Sequence, residues 1–579
     1  MKRFFAALRD RNPNPDHREW LFVPYDQLSD RIGPLAREAP ETLGIVLVEA
    51  PWRADRRPYH KQKLLTILAS QRHFALEQAT RGIAVKYVIA DTTYASALRD
   101  LTPMRMMEAA ERELRTDVSE LTRAGLLTVL PHEGWLTSRA QFLEHAGAVP
   151  WRMDAFYKGV REDTGILMEN GRPVGGRYSF DTENRQPWNG TPPAPKPPVF
   201  AVDAVTDEVV ELLQTRFDHH PGEPHPEYLP ATADDARALW RNALVERLPF
   251  FGPYEDAMAA QEPGLFHSRV SAMVNIHRLL PRELLDDVVA ANIPLPSKEG
   301  FVRQLLGWRE YMHHVHVETD GFRTLPPSKR ATAAVGKQII AAQAGDGGYE
   351  RWSGRAWPAS TGDNLNDGGA VPSFMDSHTP VPPAYWGKPS GLACLDHVVS
   401  DVWRDGYSHH ITRLMVLSNI AQLLDIEPRE LTDWFWAAYI DAYDWVVEPN
   451  VLMMSTFSVG ELGTTKPYIS GAPYINKLSD YCEHCAFDPK LNCPLTPMYW
   501  AYLARHAEKL ASNPRVGRQA AAARAREVEK REDDVRVFET VRDTLVAGAT
   551  VTLAMLDGAL RRAPVTSRPS TRPRARVKK

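Results

Sequence analysis

Three stretches decide the fold class: LGIVLV at residues 43–48, KLLTILA at 63–69 and VKYVIA at 85–90. The first and third are apolar runs typical of buried strands, and the second begins an amphipathic helix. Strand, helix and strand in that order predict a parallel sheet with helices on its faces. Further strands are predicted at 20–24 and 126–130, so we expect an α/β domain over residues 1–150.

The chain changes character after this domain. A proline-rich run at 187–198 predicts a semi-rigid linker, which we place within residues 151–205. Beyond it the apolar residues recur at helical spacing, and this pattern predicts an all-α domain over 206–515. Residues 516–579 are predicted to form a C-terminal helical extension and a basic tail.

Two segments break these patterns. Residues 326–383 are rich in glycine and proline and are too long for an ordinary connection, so we interpret them as an insertion loop or a lid. Residues 561–579 contain eight Lys or Arg and no acid. This tail is interpreted either as a weak nucleic-acid contact or as a solubilising segment.

The composition restricts the class of protein. A formal net charge of −4 argues against nucleic-acid binding through bulk charge, although a local basic groove would not show in that sum. Residues 1–10 lack the long apolar stretch of a signal peptide, and no run approaches the ~20 apolar residues of a membrane helix. We therefore expect a soluble, cytoplasmic protein with reduced cysteines and no membrane partner.

The chain has four cysteines, three of them in the run 482–493. Cys482 and Cys485 form a Cys-x-x-Cys pair, Cys493 follows eight residues later, and Cys394 lies upstream. Four thiolates in a tetrahedral arrangement suit zinc or an iron-sulfur cluster, and the spacing does not choose between them. Unrelated buried thiols are one alternative, and disulfides in an oxidising compartment are another.

Two clusters in the helical part suggest a binding site. Trp308 beside Arg309 is an aromatic and cationic pair that suits a flat, anionic ligand such as a flavin nucleotide, although core packing also explains a tryptophan. Residues 265–272 offer hydroxyl groups just before a predicted helix, where phosphate commonly binds. Plain helix capping is the alternative there.

A third cluster contains two adjacent histidines. His410 shares a helical stripe with apolar residues, so it faces the interior as either a core residue or a catalyst. A metal-ligand pair with His409 is disfavoured because adjacent helical side chains point about 100° apart. Of the 15 tryptophans, core packing explains most, but a chain of rings that relays electrons would need the same residues: Trp386, Trp403, Trp434, Trp436 and Trp445.

Ordered sequence runs occur along nearly the whole chain. The first part carries DQLS at 26–29, YHKQK at 59–63, RHFA at 72–75, DAFY at 154–157 and GGRYSFDTENR at 175–185. The helical part carries FGPYEDAM at 251–258, GWREY at 307–311, GYSHHITRLM at 406–415, DAYDWV at 441–446 and KPY at 466–468. Together they resemble the cryptochrome/photolyase superfamily. The branch they resemble contains the iron-sulfur bacterial cryptochromes and photolyases, including prokaryotic (6-4) photolyases and deoxyribodipyrimidine photolyase-related proteins.

The resemblance implies an α/β N-terminal Rossmann-like antenna domain followed by a large all-α FAD-binding domain with an iron-sulfur cluster. It implies FAD in the helical domain and a 6,7-dimethyl-8-ribityllumazine antenna between the strand ending at Glu49 and residues 59–63. It also favours a [4Fe-4S] cluster, with these ligands: Cys394, Cys482, Cys485 and Cys493.

Matching positions give further residues expected roles. Trp386 and Trp434 match the photoreduction tryptophans, and Trp308 matches the ring that stacks against a flipped lesion. The expected FAD contacts, on the diphosphate, the ribityl side or the ring, are Tyr254, His267, Ser268, Ser271, Arg309, Arg413 and Asn419.

The function implied by this resemblance is light-driven repair of UV-induced (6-4) pyrimidine-pyrimidone photoproducts by a monomeric lyase that binds UV-damaged DNA. His409 and His410 are the expected catalytic pair. His410 would donate a proton to the lesion while reduced, photoexcited FAD donates an electron. An imidazole that titrates near neutrality can give and recover the same proton, and the damaged bases must first leave the stack.

Three features depart from the branch. Val447 stands where the branch has an acid near the flavin, with Glu448 following, and such a loss changes which flavin redox state is favoured. Residues 451–461 also differ, and the 326–383 insertion has no recognised counterpart. These departures favour an alternative, a cryptochrome-like blue-light photoreceptor that retains FAD and the cluster but does not repair DNA. A light-independent binding protein is a third possibility.

Overall fold

The computed structural model describes residues 2–326 and 369–560, and its first part contains a five-stranded sheet. The strands are β1 (Glu19–Phe22), β2 (Leu43–Glu49), β3 (Ala84–Ile89), β4 (Met104–Met107) and β5 (Leu127–Leu130). Their order is β3-β2-β1-β4-β5, and every pairing is parallel. The predicted parallel α/β sheet is therefore confirmed. Of the five strands of this sheet, only β4 was not predicted, because it is four residues long and has Arg105 in its middle.

Helices cover both faces of this sheet and connect its strands. The longest, Lys61–Thr80, is buried along most of its length because it packs on β2 and β3 and against a helix that begins at Ala204. A helix at Met153–Thr164 and a small hairpin, β6 (Met168–Glu169) with β7 (Arg172–Pro173), follow the sheet. The other α-helices in this part are Lys2–Arg11, Pro34–Arg37, Tyr94–Arg99, Arg112–Asp117, Ser119–Arg123 and Arg139–Ala146.

The second part is helical, as predicted. Its α-helices before the insertion are Ala204–Arg216, Ala233–Asn242, Leu248–Phe251, Ser271–Asn275, Pro281–Ala290, Leu295–Val302 and Glu310–Glu318. Those after it are Ala393–Asp405, His410–Thr412, Asn419–Leu423, Pro428–Ala438, Asp444–Glu448, Ala472–Leu478, Leu495–Arg505, Ala507–Leu510, Gly517–Ala525, Val528–Val546 and Leu553–Ala559. Four π-helical segments interrupt or extend these helices: Ala243–Arg247, Arg303–Arg309, Arg413–Ser418 and Pro449–Ser455.

Buried polar contacts join the two parts. Lys63 donates from Nζ to the backbone carbonyls of Trp436 (2.8 Å) and Ala442 (2.6 Å), and it is 2% exposed. The His60 ring caps the helix Lys61–Thr80 through Nδ1, and its Nε2 lies 3.0 Å from the carbonyl oxygen of Trp403. These bonds fix the sheet against the helical part at the YHKQK motif.

The predicted insertion lies largely outside the described residues, and so does the basic tail at 561–579. Among the described helices, none combines the length and the apolar character needed to span a membrane.

Candidate functional site

A cavity of about 310 Å³, partly open to solvent, lies inside the helical part. Four chain segments form its walls: residues 268–275, the helix through Trp308, the segment from His410 to Leu414, and the segment from Phe435 to Ser455. Three of the four π-helical segments, Arg303–Arg309, Arg413–Ser418 and Pro449–Ser455, contribute lining residues. A π-bulge is rare and frequent at functional sites, because it turns side chains out of the α-helical register.

An ion pair forms one side of the cavity. Arg413 donates from its two terminal nitrogens to both carboxylate oxygens of Asp441, at 3.1 and 3.0 Å. Ser271 donates to the same carboxylate at 2.6 Å, and the guanidinium lies 4.1 Å from the ring centroid of Tyr439. The Asp441 carboxylate raises the pKa of Arg413 against the effect of burial. The pair therefore presents a fixed, planar, charged surface to a ligand.

A second buried cation faces the same space. Arg309 lies between two tryptophan rings, with its guanidinium carbon 4.2 Å from the ring centroid of Trp135 and 5.2 Å from that of Trp445. One of its terminal nitrogens donates to Glu310 at 2.8 Å, while Nε and the other terminal nitrogen have no partner within the described part of the chain. Burial lowers the pKa of Arg309. Unsatisfied buried donors on a cavity wall indicate an acceptor-rich ligand.

Four of the seven residues predicted to contact FAD line this cavity: Ser268, Ser271, Arg309 and Arg413. The other three are not among its lining residues. Tyr254 donates to a backbone carbonyl of the linker (3.2 Å), Asn419 accepts from the backbone N–H of Ser470 (2.8 Å), and His267 stacks on His409. The assignment of these three residues to FAD stays a prediction from the sequence.

Sequence reasoning also missed several lining residues. Asp441 and Trp445 fall in a motif that was recognised but given no role, while Asn450 follows directly after it. Gln304 and Phe435 carry no signal of their own in the sequence. Only the fold brings them to the same wall.

The predicted catalytic histidine lines the cavity, and two other histidines stand behind it. The His267 and His409 rings are stacked, with centroids 4.2 Å apart and planes 8° apart, and His267 lies 5.2 Å from His410. Burial lowers the pKa of all three imidazoles, so the neutral form is favoured. One ring nitrogen from each lies within 4.8 Å of the others. Lone pairs in two parallel rings do not converge on one ion, so the geometry suits proton handling better than metal binding.

The predicted electron-relay tryptophans lie one layer outside the cavity. Trp434 contacts the cavity-lining ring of Phe435, with centroids 5.0 Å apart. Trp403 lies between the two predicted rings, 5.1 Å from Trp386 and 6.0 Å from Trp434. The indole N–H groups of Trp403 and Trp434 both donate to the carbonyl of Tyr385, at 2.8 and 2.9 Å. The structure thus joins Trp386 and Trp434 through the ring of Trp403, for which the sequence left both core packing and an electron relay open.

The cavity wall lacks the acid that the branch has near the flavin. Val447 occupies its position, and the acid that follows, Glu448, does not take its place. Val447 lines the cavity, whereas the Glu448 carboxylate points into the helix packing. Glu448 accepts from His316 Nε2 and from a terminal nitrogen of Arg429, both at 2.9 Å. These partners lower the pKa of Glu448 despite its burial. The neighbouring acid therefore does not substitute for the carboxylate that Val447 lacks.

The four cysteines are neighbours. Cys394 lies in the first turn of the helix Ala393–Asp405 and is 8% exposed, and the charges of the other three thiols act on it. Burial raises the pKa of Cys482 to about 11 and that of Cys493 to about 12. Four neighbouring thiols suit either zinc or an iron-sulfur cluster.

A second, smaller cavity of about 60 Å³ lies where the sheet meets the helical part. Its lining includes residues from the carboxyl end of β2, from the segment Tyr59 to Lys63, and from the helical part through Trp436 and Tyr443. Aromatic rings and the polar side chains of Arg53, Lys63 and Glu111 line it, and this combination suits a flat heteroaromatic ligand. It coincides with the predicted antenna position.

Comparisons with known proteins agree with this architecture. Residues 21–228 match the model of the family described as deoxyribodipyrimidine photo-lyase-related protein. A (6-4) photolyase of Agrobacterium fabrum is 33% identical over 558 residues, which are 92% of this chain and 98% of that protein.

Solved structures are similar at lower identity. A cryptochrome of Synechocystis sp. PCC6803 matches with a TM-score of 0.50 and 12% identity, over 90% of this chain and 94% of that chain. A class III photolyase of Agrobacterium tumefaciens matches with a TM-score of 0.48 and 12% identity, over 92% of this chain and 99% of that one. The cryptochrome match supports the fold, and the 33% identity over nearly all of the Agrobacterium fabrum relative establishes the family. The chain belongs to the cryptochrome/photolyase superfamily, in its photolyase-related branch.

Proposed function

We propose that this protein repairs UV-induced (6-4) photoproducts in DNA in a light-driven reaction. The observation that carries the proposal is that His410 and Trp308 line the same cavity as the Arg413–Asp441 pair. In this proposal one site contains the proton donor, the ring that stacks on the lesion and the charged pair that contacts the flavin. The similarity to a relative named (6-4) photolyase supports the same reaction.

The residues of the large cavity fit FAD. The unpartnered nitrogens of Arg309 supply donors for the anionic or carbonyl groups of a flavin nucleotide, and Ser268 and Ser271 supply hydroxyl groups at the start of a helix. The Arg413–Asp441 pair offers both a donor and an acceptor edge to a flat ring. When bound, FAD supplies an electron to the lesion after it absorbs light.

His410 is the proposed general acid. Returning the displaced hydroxyl of a (6-4) lesion requires a proton, which the imidazole gives and then recovers. Burial lowers the pKa of His410, whereas the carboxylate of Glu255 raises it. A bound DNA strand brings further negative charge, so substrate binding favours the protonated ring at the moment it is needed.

Trp308 is the proposed platform for the flipped lesion. It lines the cavity and is only partly buried, so one ring face remains available to a base. Stacking of a base on an aromatic side chain is worth about 1–3 kcal/mol, which offsets much of the cost of unstacking a damaged pair.

We further propose a [4Fe-4S] cluster on the four cysteines and the lumazine antenna in the second cavity. The mutual proximity of the thiols and their spacing in the sequence support the cluster, which would hold them as thiolates. For the electron path we propose Trp434, Trp403 and Trp386 in that order from the cavity. A monomeric state and a cytoplasmic location remain predictions from the sequence.

A blue-light photoreceptor without repair activity is the second candidate. Val447 on the cavity wall favours it, because the missing carboxylate alters the charge next to the proposed flavin. The comparisons do not favour this candidate over repair.

A His410→Asn variant tests the proposed function. We expect it to bind an oligonucleotide with one (6-4) photoproduct as the wild type does, and to keep its flavin absorbance, while light-dependent restoration falls by at least about 100-fold. Unchanged restoration would remove His410 from the mechanism. The matched control is a His219→Asn variant. His219 is partly exposed and lies far from the cavity residues in the sequence.

A further inference from the structure

A second pair of tryptophan rings reaches the large cavity. Trp445 lines the cavity and is 1% exposed. Trp135 lies against it, with ring centroids 4.9 Å apart and ring planes at 88°. Trp135 is only partly buried and also lines a further cavity, whose walls include the exposed residue Arg282. The Trp445–Trp135 pair therefore leads from the proposed flavin site towards the surface.

By position, this pair is the shorter route for an electron to the cavity. Trp434, the first ring of the proposed path, is not among the described residues that line the cavity, and it contacts Phe435, which does line it. Trp445 forms part of the wall itself. Because electron transfer slows steeply with distance, distance alone would make Trp445 the preferred donor. If Trp434 is the donor, another property of the pair must oppose its oxidation.

A buried cation lies over both rings of the pair. The guanidinium carbon of Arg309 is 4.2 Å from the ring centroid of Trp135 and 5.2 Å from that of Trp445. An arginine side chain stays charged in proteins. Its acid partner, Glu310, accepts from Arg309 at 2.8 Å and also from two backbone N–H groups, at 2.8 and 3.0 Å. The charge of the carboxylate is thus shared among several donors, and the rings remain beside a positive charge.

A charge beside an indole ring changes how readily that ring is oxidised. Removal of an electron leaves the ring positive, and a guanidinium over its face repels that positive charge. At about 4–5 Å a single charge shifts such an equilibrium by at least about tenfold, even at the effective dielectric constant of a protein interior. Trp403 and Trp434 have the opposite surroundings, since their indole N–H groups donate to the carbonyl oxygen of Tyr385, at 2.8 and 2.9 Å. This oxygen is partly negative, so it favours the oxidised rings.

We propose that Arg309 prevents the Trp445–Trp135 pair from donating electrons to the flavin and so directs photo-oxidation to Trp434. This proposal rests on the proposed function, since it needs FAD in the large cavity. The ring of Trp434 loses one electron to the flavin, and the other two rings of the proposed path pass an electron inward to restore it. A thiol in solution reduces the last of these rings. Two thiols that each lose one electron and one proton then form a disulfide.

The rate of flavin photoreduction tests this directing role. Flavin absorbance would be followed under blue light, with a thiol as the reductant. Trp434→Phe should slow photoreduction by at least about 20-fold, whereas Trp135→Phe should stay within about twofold of wild type. Adding Arg309→Gln to Trp434→Phe should recover at least about tenfold, and a third change, Trp135→Phe, should abolish that gain. Arg309→Lys in place of Arg309→Gln is the matched control, because it keeps the charge and should recover nothing.

A measurement in the dark tests the same charge effect without photochemistry. Azide radicals, which remove single electrons from indole rings, would be generated by radiolysis in solutions of the purified protein, and peptide mapping would quantify oxidised Trp135. Arg309→Gln should increase oxidation of Trp135 by at least about threefold, and Arg309→Lys should not. Trp500 is an internal control, because it has its own guanidinium, that of Arg526, 4.6 Å from its ring centroid. Its oxidation should be the same in all three proteins.

The outcomes distinguish the role of Arg309 from the repair activity. If Trp434→Phe is photoreduced as fast as wild type, or if Arg309→Gln neither restores photoreduction nor increases oxidation of Trp135, the directing role is overturned. If Arg309→Gln takes up no flavin, the dark oxidation of Trp135 decides. If the variants behave as expected while illuminated wild type repairs no (6-4) site, the directing role is supported and the repair proposal fails. If wild type contains no flavin, both are overturned.

Discussion

His410 is the residue on which the proposed chemistry of the site depends. It lines the cavity, and the ring of His267, which stacks on His409, lies 5.2 Å from its ring. Its neighbours act in opposite directions: Glu255 and Asp181 raise its pKa, and Arg303 and Arg413 lower it. Because burial outweighs these charges, the proton on His410 depends on pH and on the bound strand.

This balance predicts the pH dependence of repair. The pKa of His410 is lowered by burial, so the protonated fraction at neutral pH is small and increases as the pH falls. We expect the yield of repair per absorbed photon to increase from about pH 8 to about pH 6 in wild type. Steady illumination of a (6-4) duplex across this range measures it. A yield that falls with decreasing pH would contradict the assignment of His410 as the acid.

At the scale of the elements, irregular helices build the site. Three π-helical segments contribute lining residues to the cavity, and each changes the direction in which the following side chains point. The helix Asp444–Glu448 is held next to them by the buried bonds of Glu448 to His316 and Arg429. These bonds fix the wall that carries Val447.

Removing the charge of Glu448 should therefore destabilise this wall. A Glu448→Gln variant leaves Arg429 with only Asp433 as an acid partner, and we expect the free energy of unfolding to fall by about 3 kcal/mol. Chemical denaturation measures the loss, with Glu529→Gln on an exposed helix surface as the control. A change below about 1 kcal/mol would show that this buried cluster contributes little.

The cysteines join elements that are distant in the chain. The ring of Tyr481 stacks on His397 of the helix that carries Cys394, with centroids 5.7 Å apart, so the two ligand segments already pack together. If the proposed cluster is bound, a Cys482→Ala variant should lose iron and acid-labile sulfide and become largely insoluble, because binding of the cluster would stabilise this packing. Iron analysis and soluble yield are the measurements.

The exposed neighbour Glu483→Gln is the matched control for Cys482→Ala and should keep its iron. Soluble Cys482→Ala protein with a normal melting temperature and full flavin content would contradict a stabilising role for the cluster.

At the scale of the whole molecule, stability depends on buried neutral histidines. Burial lowers the pKa of His60, at the junction of the two parts, to about 4, and that of His277 also to about 4. The unfolded chain takes up protons near pH 6.5, before the folded protein does, so stability is lost as the pH falls below about 6.5.

A His60→Asn variant isolates one such contribution. Asparagine keeps a helix cap at this position but removes the titrating ring. Between pH 8 and pH 5 the free energy of unfolding should fall by about 2 kcal/mol less in the variant than in wild type. Melting temperatures recorded across this range test the difference, and parallel curves would contradict it.

The sheet was predicted correctly, and the motif around His410 was recognised, because both signals are local. About ten residues of sequence are enough to recognise the apolar runs of β2 and β3. The same holds for the continuous motif around His410. Matching by position named Asn419 and Tyr254 as FAD contacts, but it does not show which way a side chain turns: neither lines the cavity, and each bonds to backbone elsewhere. The position of Trp403 depends on the packing of distant segments, and no local pattern reports that packing.

The most direct test of the account is illumination of the purified, reduced protein with an oligonucleotide that carries a single (6-4) photoproduct. Chromatography of the product strands would be compared between light and dark, with a cyclobutane-dimer oligonucleotide alongside. We predict that the (6-4) site is restored to intact bases in the light only, while the dimer is not. Photoreduction of the flavin without any restored strand would contradict the account and identify a photoreceptor instead.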